Sequence, residues 1–203
     1  MTALGNLNAR CVAAARRPGP VRVEDVFAIR TIAFSLAGRR SEKSRAMSST
    51  TRATQFLSQQ GVRFTLHHYA YDPDADRIGM QAAEALGEPP GRVLKTLMAT
   101  VDGKPVCAIV PSDREVSMKK LAAAFSGKSA AMMKPADAER LTGYHVGGIS
   151  PFGQKKRVPT AFEEAALGES LVFINGGQRG LQVKLDPKEG VRVLEAVVAA
   201  VVA

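Results

Sequence analysis

Residues 142–157 read T-G-Y-H-V-G-G-I-S-P-F-G-Q-K-K-R and hold four glycines, one proline and three consecutive cations. Paired glycines at 147 and 148 allow backbone angles closed to other residues, and Pro151 fixes one φ and removes one N–H. The run Gly147, Gly148, Ile149, Ser150 therefore reads as a tight loop with exposed N–H and C=O groups. Such loops can cradle anionic or carbonyl oxygens. Lys155, Lys156 and Arg157 follow at once, as a phosphate-binding surface would require. On composition alone an ordinary surface turn leading into a strand is the better reading, because glycine-rich loops are weakly specific.

Other chemistry is sparse. The three histidines are His67, His68 and His145. The first two are neighbours on a predicted strand and face opposite sides, so they cannot easily share a site. No H-x-x-x-H or C-x-x-C spacing points to zinc, and no metal or cofactor is expected. Phosphate-binding Walker and G-x-G-x-x-G patterns and the G-x-S-x-G elbow are missing. Ser150 has a glycine-rich context without a Ser-His-Asp arrangement, and His145 suits packing as well as chemistry. The string Asp72-Pro73-Asp74-Ala75-Asp76 imitates the start of a calcium loop, but the sixth position is Arg77 and the twelfth Ala83, so it reads as a solvated turn. Cys11 and Cys107 make no disulfide or zinc framework. Cys107 lies in an apolar run and reads as a buried thiol, which suits a reducing, cytoplasmic setting. No apolar run is long enough to span a bilayer, so no membrane association is expected.

Charge is uneven. The net of +9 over 203 residues divides into +6 for residues 1–46 and +3 for residues 47–203. The basic segment contains R-R-P-G-P and G-R-R-S-E-K-S-R and has no clean hydrophobic period. Three readings compete: a targeting peptide, a basic arm for RNA, and translation that begins at Met47. The third fits best, because Met47 leads straight into the first capped helix. Residues 1–46 are then a disordered extension and residues 47–203 the functional domain.

The elements that must position the loop follow from pattern. A helix is predicted over 50–60 with Gly61 as its stop, and a half-buried strand over 62–67. A short helix over 80–86 precedes the break Glu88-Pro89-Pro90-Gly91. Strands over 92–101 and 105–110 flank the hairpin signal Asp102-Gly103. Lys95 lies inside the first of these, where Val93, Leu94, Leu97 and Met98 make both faces look covered; a lysine kept there could line a cleft. Ser117 caps a helix through 125, and Pro135 opens another ending near 141. Strands are predicted near 157–160, at 171–174 and at 181–185. A final helix, with a cap at Asp186 and a capping-box acid at Glu189, is predicted to run to the end. With strands and helices mixed in order, the class is α/β or α+β, in one domain with a mixed sheet.

Three separated blocks now carry a resemblance: V-L-K-T-L at 93–97, T-G-Y-H-V-G-G-I-S-P-F-G-Q-K-K-R, and I-N-G-G-Q-R-G-L-Q at 174–182. In this order they resemble the YbaK family of trans-acting aminoacyl-tRNA deacylases, which share the fold of the editing domain of bacterial prolyl-tRNA synthetases. The resemblance spans roughly residues 47–203, and the long middle block is similar to the Cys-tRNA(Pro) deacylase branch. It implies a partly barrel-like mixed sheet flanked by helices, and a substrate bearing cysteine on the tRNA 3′ CCA end. By resemblance, Lys95 meets the terminal adenosine and its phosphate, Thr96 and Tyr69 stand near the substrate, and residues 147–151, with Pro151 last, cradle the aminoacyl group. Asn175 stands where this branch often has serine, Gln182 where it often has aspartate, and Ile78 where it often has phenylalanine. These departures touch the pocket's finer preferences and leave the scaffold intact.

The mechanism implied for this branch uses the substrate's own thiol to attack its ester carbonyl, which agrees with the missing protein nucleophile. A cysteine thiol, with a pKa of about 8.5, is a strong nucleophile even when a few per cent is ionised. Backbone groups of residues 147–150 would then orient the ester and steady the oxyanion. Rival readings are deacylation of another mischarged tRNA, such as Ala-tRNA(Pro), by water, and a non-catalytic module that binds tRNA or a synthetase. A small positive excess over residues 47–203 leaves room for prolyl-tRNA synthetase as a partner that selects the tRNA.

Overall fold

The computed structural model describes residues 50–73 and 78–203. The readings of segment 1–46, and the heart of the D-x-D-x-D string, lie outside the described residues. Within them the chain forms α1 (Arg52–Gln59), β1 (Phe64–His68), α2 (Ile78–Leu86), β2 (Val93–Val101), β3 (Lys104–Pro111), α3 (Met118–Ala124), β4 (Ala130–Met132) and α4 (Pro135–Thr142). There follow β5 (Thr160–Glu163), β6 (Val172–Asn175), β7 (Leu181–Leu185), α5 (Pro187–Leu194) and β8 (Val197–Ala199). Short 3₁₀ turns occupy Pro90–Arg92 and Glu164–Gly168.

The β2–β3 hairpin is the spine. Asp102 and Gly103 take φ of 47° and 77°, the left-handed pair that matches the twist of a two-residue turn. The Asp102 carboxylate also accepts from the Lys128 and Ser129 N–H groups, which anchors the entry to β4. From this hairpin the sheet runs β1-β7-β6-β2-β3-β5-β8, with β4 paired to β2 off the main path. The β2–β6, β3–β5 and β5–β8 pairs are parallel and the others antiparallel, so the sheet is mixed, as the order of elements implied.

Both faces of the central strands are covered, which explains their continuous apolar runs. On one face Leu94, Met98, Ile109, Phe162 and Ile174 pack with Leu57 of α1 and Phe152. On the other, Ala99, Ala108 and Val110 pack with Leu121 of α3 and Val201. Cys107 is buried as expected, and burial pushes its thiol up to about 12. Helix α1 starts at Thr51, whose hydroxyl accepts from the Thr54 N–H while the Thr54 hydroxyl accepts from the Thr51 N–H. Such a reciprocal cap contributes about 1 kcal/mol.

Several expected elements move. The strand placed near 157–160 begins at Thr160: Pro159 has no N–H to give a ladder, while its carbonyl accepts from Cys107 at 2.9 Å. The strand placed at 171–174 is Val172–Asn175, and Leu171 stays 38% exposed. The strand placed at 62–67 begins at Phe64. The final helix does not reach the end. It stops at Leu194, with Glu195 at φ 50°, and the β-branched Val197 and Val198 pair with the open edge of β5. Asp186 caps α5 by accepting from the Lys188 N–H, but Glu189 turns to Arg192 at 2.6 Å instead of completing a capping box. Strand β4, three residues long, had no sequence signal.

Candidate functional site

A cavity of about 300 Å³ opens beside β2, between α2, the ends of β6 and β7, and the loop that follows α4. Lys95 is the one charged side chain on its wall among the described residues. The hairpin register places Leu94 opposite Pro111, so Ser112 comes next, opposite Val93 and diagonal to Lys95, whose Nζ donates to the Ser112 carbonyl at 3.2 Å. Three of the residues that line this space carry a buried polar atom without a hydrogen-bond partner among the described residues: Thr96 Oγ1, Ser112 Oγ and Gln182 Oε1. An unmet buried polar atom costs about 1–3 kcal/mol, a cost that a polar ligand or a water would offset. The far wall is apolar and rich in thioethers, from Met98, Met132 and Met133. Tyr69 closes one side; burial raises its phenol above the ordinary value, against the opposing pull of the Gln182 side chain and the Gly180 backbone. Its hydroxyl therefore remains protonated at neutral pH.

The glycine-rich loop reaches the cavity through Gly147 and Ile149. It is held from three sides. Asn175, the last residue of β6, donates from Nδ2 to the Gly147 carbonyl at 3.2 Å and accepts from the Gly177 N–H at 2.7 Å. Arg179 donates to the Val146 carbonyl at 2.8 Å, and the Val146 N–H donates to Glu139 Oε1 at 2.8 Å. That last bond is the main cause that holds the Glu139 carboxyl below its ordinary range. Tyr144 donates to the Phe152 carbonyl at 2.7 Å, beneath the Arg52 guanidinium. Gly147 has φ +84°, and a Cβ on Gly148 would stand 2.9 Å from the Arg179 nitrogen. The two glycine-rich turns thus press backbone to backbone, a packing that any larger residue would force apart.

Of the residues singled out in the sequence, Tyr69, Lys95, Thr96, Gly147, Ile149, Asn175 and Gln182 meet around the one cavity. Gly148, Ser150 and Pro151 stand behind it. Ser150 is fully buried; its hydroxyl accepts from the Phe152 N–H at 3.3 Å and its carbonyl from Gln154 at 3.0 Å, so it shapes the loop. Ile78 opens α2, and its side chain lies outside the described residues. Lys155, Lys156 and Arg157 do not line the cavity: the first two are exposed, and Arg157 reaches Glu195 at 3.2 Å and the Leu194 carbonyl at 2.9 Å. His145 is exposed and meets Glu139 at 3.4 Å. Ser112 and the methionine wall escaped the sequence reading. The signal for Ser112 was present, because a two-residue turn at 102–103 fixes which residue ends up across from the start of β2.

The family model for the aminoacyl-tRNA editing domain matches residues 72–193. A protein of Enterococcus faecalis assigned as a Cys-tRNA(Pro)/Cys-tRNA(Cys) deacylase, EbsC, is 38% identical over 140 residues, covering 68% of this chain and 84% of its own length. A proline–tRNA ligase of Acidithiobacillus ferrooxidans is 31% identical over 92 residues, which span 16% of that much longer enzyme. Among solved structures, a protein assigned as a trans-editing enzyme for prolyl-tRNA synthetase superposes with a TM-score of 0.65 at 23% identity, over 76% of this chain and 97% of the other. That likeness establishes the shared fold. With the matched region running from the loop after β1 into α5 and taking in every cavity-lining residue but Tyr69, the chain belongs to the aminoacyl-tRNA editing domain family.

Proposed function

We propose that this protein deacylates mischarged Cys-tRNA(Pro), with Cys-tRNA(Cys) as a further substrate, and that the bound cysteine supplies the nucleophile. The observation that supports this reading is the meeting of Lys95 and the bend at residues 147–149 around one cavity whose wall holds no other charged side chain among the described residues. Lys95 takes the anionic side of the tRNA 3′ CCA end. The bend faces the ester. No hydrogen bond from the Gly147 or Ile149 N–H is found among the described residues, which leaves these donors for an oxyanion. Cys107 cannot serve as a nucleophile, because its thiol is wholly buried and held protonated.

In the proposed reaction the substrate sulfur, as thiolate, attacks its own ester carbonyl. A carbon–sulfur bond forms, the carbon–oxygen bond to the ribose breaks, and the 3′ oxygen takes up the proton that the thiol gave up. Holding sulfur and carbonyl within reach of each other is the protein's contribution. Met98, Met132 and Met133 suit a polarisable thiol side chain on the apolar wall. We further propose that residues 47–203 form the working unit, that it acts in the cytoplasm, and that prolyl-tRNA synthetase selects the tRNA for it.

Incubation of the purified protein with Cys-, Ala- and Ser-charged tRNA(Pro) tests the reading. Loss of cysteine alone supports it. Loss of alanine assigns the enzyme to a water-dependent deacylase, and binding without release assigns a non-catalytic module.

A further inference from the structure

A second cavity, of about 220 Å³, adjoins the first, and Gly79, Lys95 and Ser112 line both. The two differ in character. Among the described residues Lys95 is the one charged group on the first, whereas the second adds Asp113, Arg114 and Glu115. Ser112 stands at the neck between them. It is 7% exposed, and its Oγ has no hydrogen-bond partner among the described residues. Its backbone is fixed on both sides: the N–H donates to the Val93 carbonyl at 2.8 Å, and the carbonyl accepts from Lys95 Nζ at 3.2 Å. Helix α2 crosses it at Gly79, where an added Cβ would stand 3.0 Å from Ser112 Oγ. Glycine at that crossing lets the helix backbone lie close to the buried hydroxyl without supplying it a partner.

We propose that Ser112 is a substrate-binding residue whose hydroxyl bonds the ribose 2′-hydroxyl of the terminal adenosine. The proposal rests on the deacylase reading, in which the aminoacyl group fills the first, largely apolar cavity. The nucleotide then leaves through the charged one, and the group that occupies the neck is the ribose that joins them. Its 2′-hydroxyl is the free polar group beside the 3′ ester, and it both donates and accepts, as the serine hydroxyl does. An unmet buried hydroxyl at this point is satisfied by a ribose and left unmet by a deoxyribose, so the contact also distinguishes RNA from DNA. Lys95, held against the Ser112 carbonyl, keeps its charge next to the same sugar.

The test uses the full chain and a tRNA(Pro) acceptor-stem minihelix ending in 3′-cysteinylamido-adenosine, whose amide is not cleaved. A second minihelix lacks the terminal 2′-hydroxyl. Wild type should bind the first about tenfold more tightly, the worth of one well-placed hydrogen bond. Ser112→Ala, with an unchanged thermal melt, should bind both alike, at the affinity wild type shows for the deoxy probe. Ser112→Cys, near in size and a weak donor, should show the same loss of preference and serves where the alanine variant fails to fold. A variant that keeps the full preference for the 2′-hydroxyl overturns the assignment to Ser112, as does a wild type that shows none. Failure of wild type to bind either probe overturns the aminoacyl-tRNA reading of the cavity together with it.

Discussion

Asn175 Nδ2 lies 3.2 Å from the Gly147 carbonyl, a bond between residues 28 positions apart that staples the two glycine-rich turns together. The same amide accepts from the Gly177 N–H at 2.7 Å, so one side chain fixes both turns at the mouth of the cavity. Asn175 therefore positions the bend, and the bend presents the donors.

Asn175→Asp keeps an acceptor for Gly177 and loses the donor to Gly147, placing a carboxylate against a carbonyl. Single-turnover deacylation of Cys-tRNA(Pro) should slow about tenfold or more, while the fold loses about 1–3 kcal/mol. Wild-type rates in this variant would remove Asn175 from the loop's support.

Gly148→Ala would drive a methyl to 2.9 Å from the Arg179 nitrogen and 3.0 Å from the Gln178 carbonyl carbon. Both neighbours are backbone and cannot swing aside. Destabilisation of about 1–3 kcal/mol is expected from the overpacking, with a loss of turnover larger than that loss of stability explains. Denaturant melts and kcat/KM on one preparation separate the two effects.

Lys95→Ala should abolish turnover and leave the melting temperature nearly unchanged, because the lysine is half-buried at the cavity wall and its bond to the Ser112 carbonyl, at 3.2 Å, is a long one. A fully active variant would contradict the site.

Replacing the charged cysteine by S-methylcysteine should stop release, and the rate with cysteine should climb with pH toward the thiol pKa of about 8.5 as thiolate accumulates. Equal cleavage of the two esters would point to water as the nucleophile.

Alkali should weaken the fold through two buried acids. Burial pushes Cys107 and Tyr144 up to about 12, from ordinary values of 9.0 and 10.0. Between about pH 9 and about 12 the unfolded chain gives up these protons and the folded chain keeps them, so stability falls as pH rises. Thermal melts should be flat in this respect below about pH 9 and decline above it. Cys107→Ala and Tyr144→Phe should each flatten part of that decline.

Local pattern sufficed for much of this protein. The hairpin at Asp102 and Gly103, the cap at Ser117 and the stop at Gly61 are set by residues a few positions apart, where backbone sterics and short hydrogen bonds decide. The three motif blocks single out Lys95, the bend and Asn175 through their resemblance to a known family. What pattern could not supply was distance. The valines at 197 and 198 extend a helical-looking run, and it took the open edge of β5 to make them a strand. Lys155, Lys156 and Arg157 follow the bend in sequence yet stand away from the cavity, since the chain turns between Ser150 and Gln154. Ser112 lies 17 residues from Lys95 and becomes its neighbour through the hairpin register, a non-local pairing. Sequence determined which groups this protein owns and the local turns that carry them. Tertiary structure alone decided which of those groups share one space, because that depends on strand pairing and on the burial that leaves the cavity-lining Thr96, Ser112 and Gln182 with polar atoms that have no partner among the described residues.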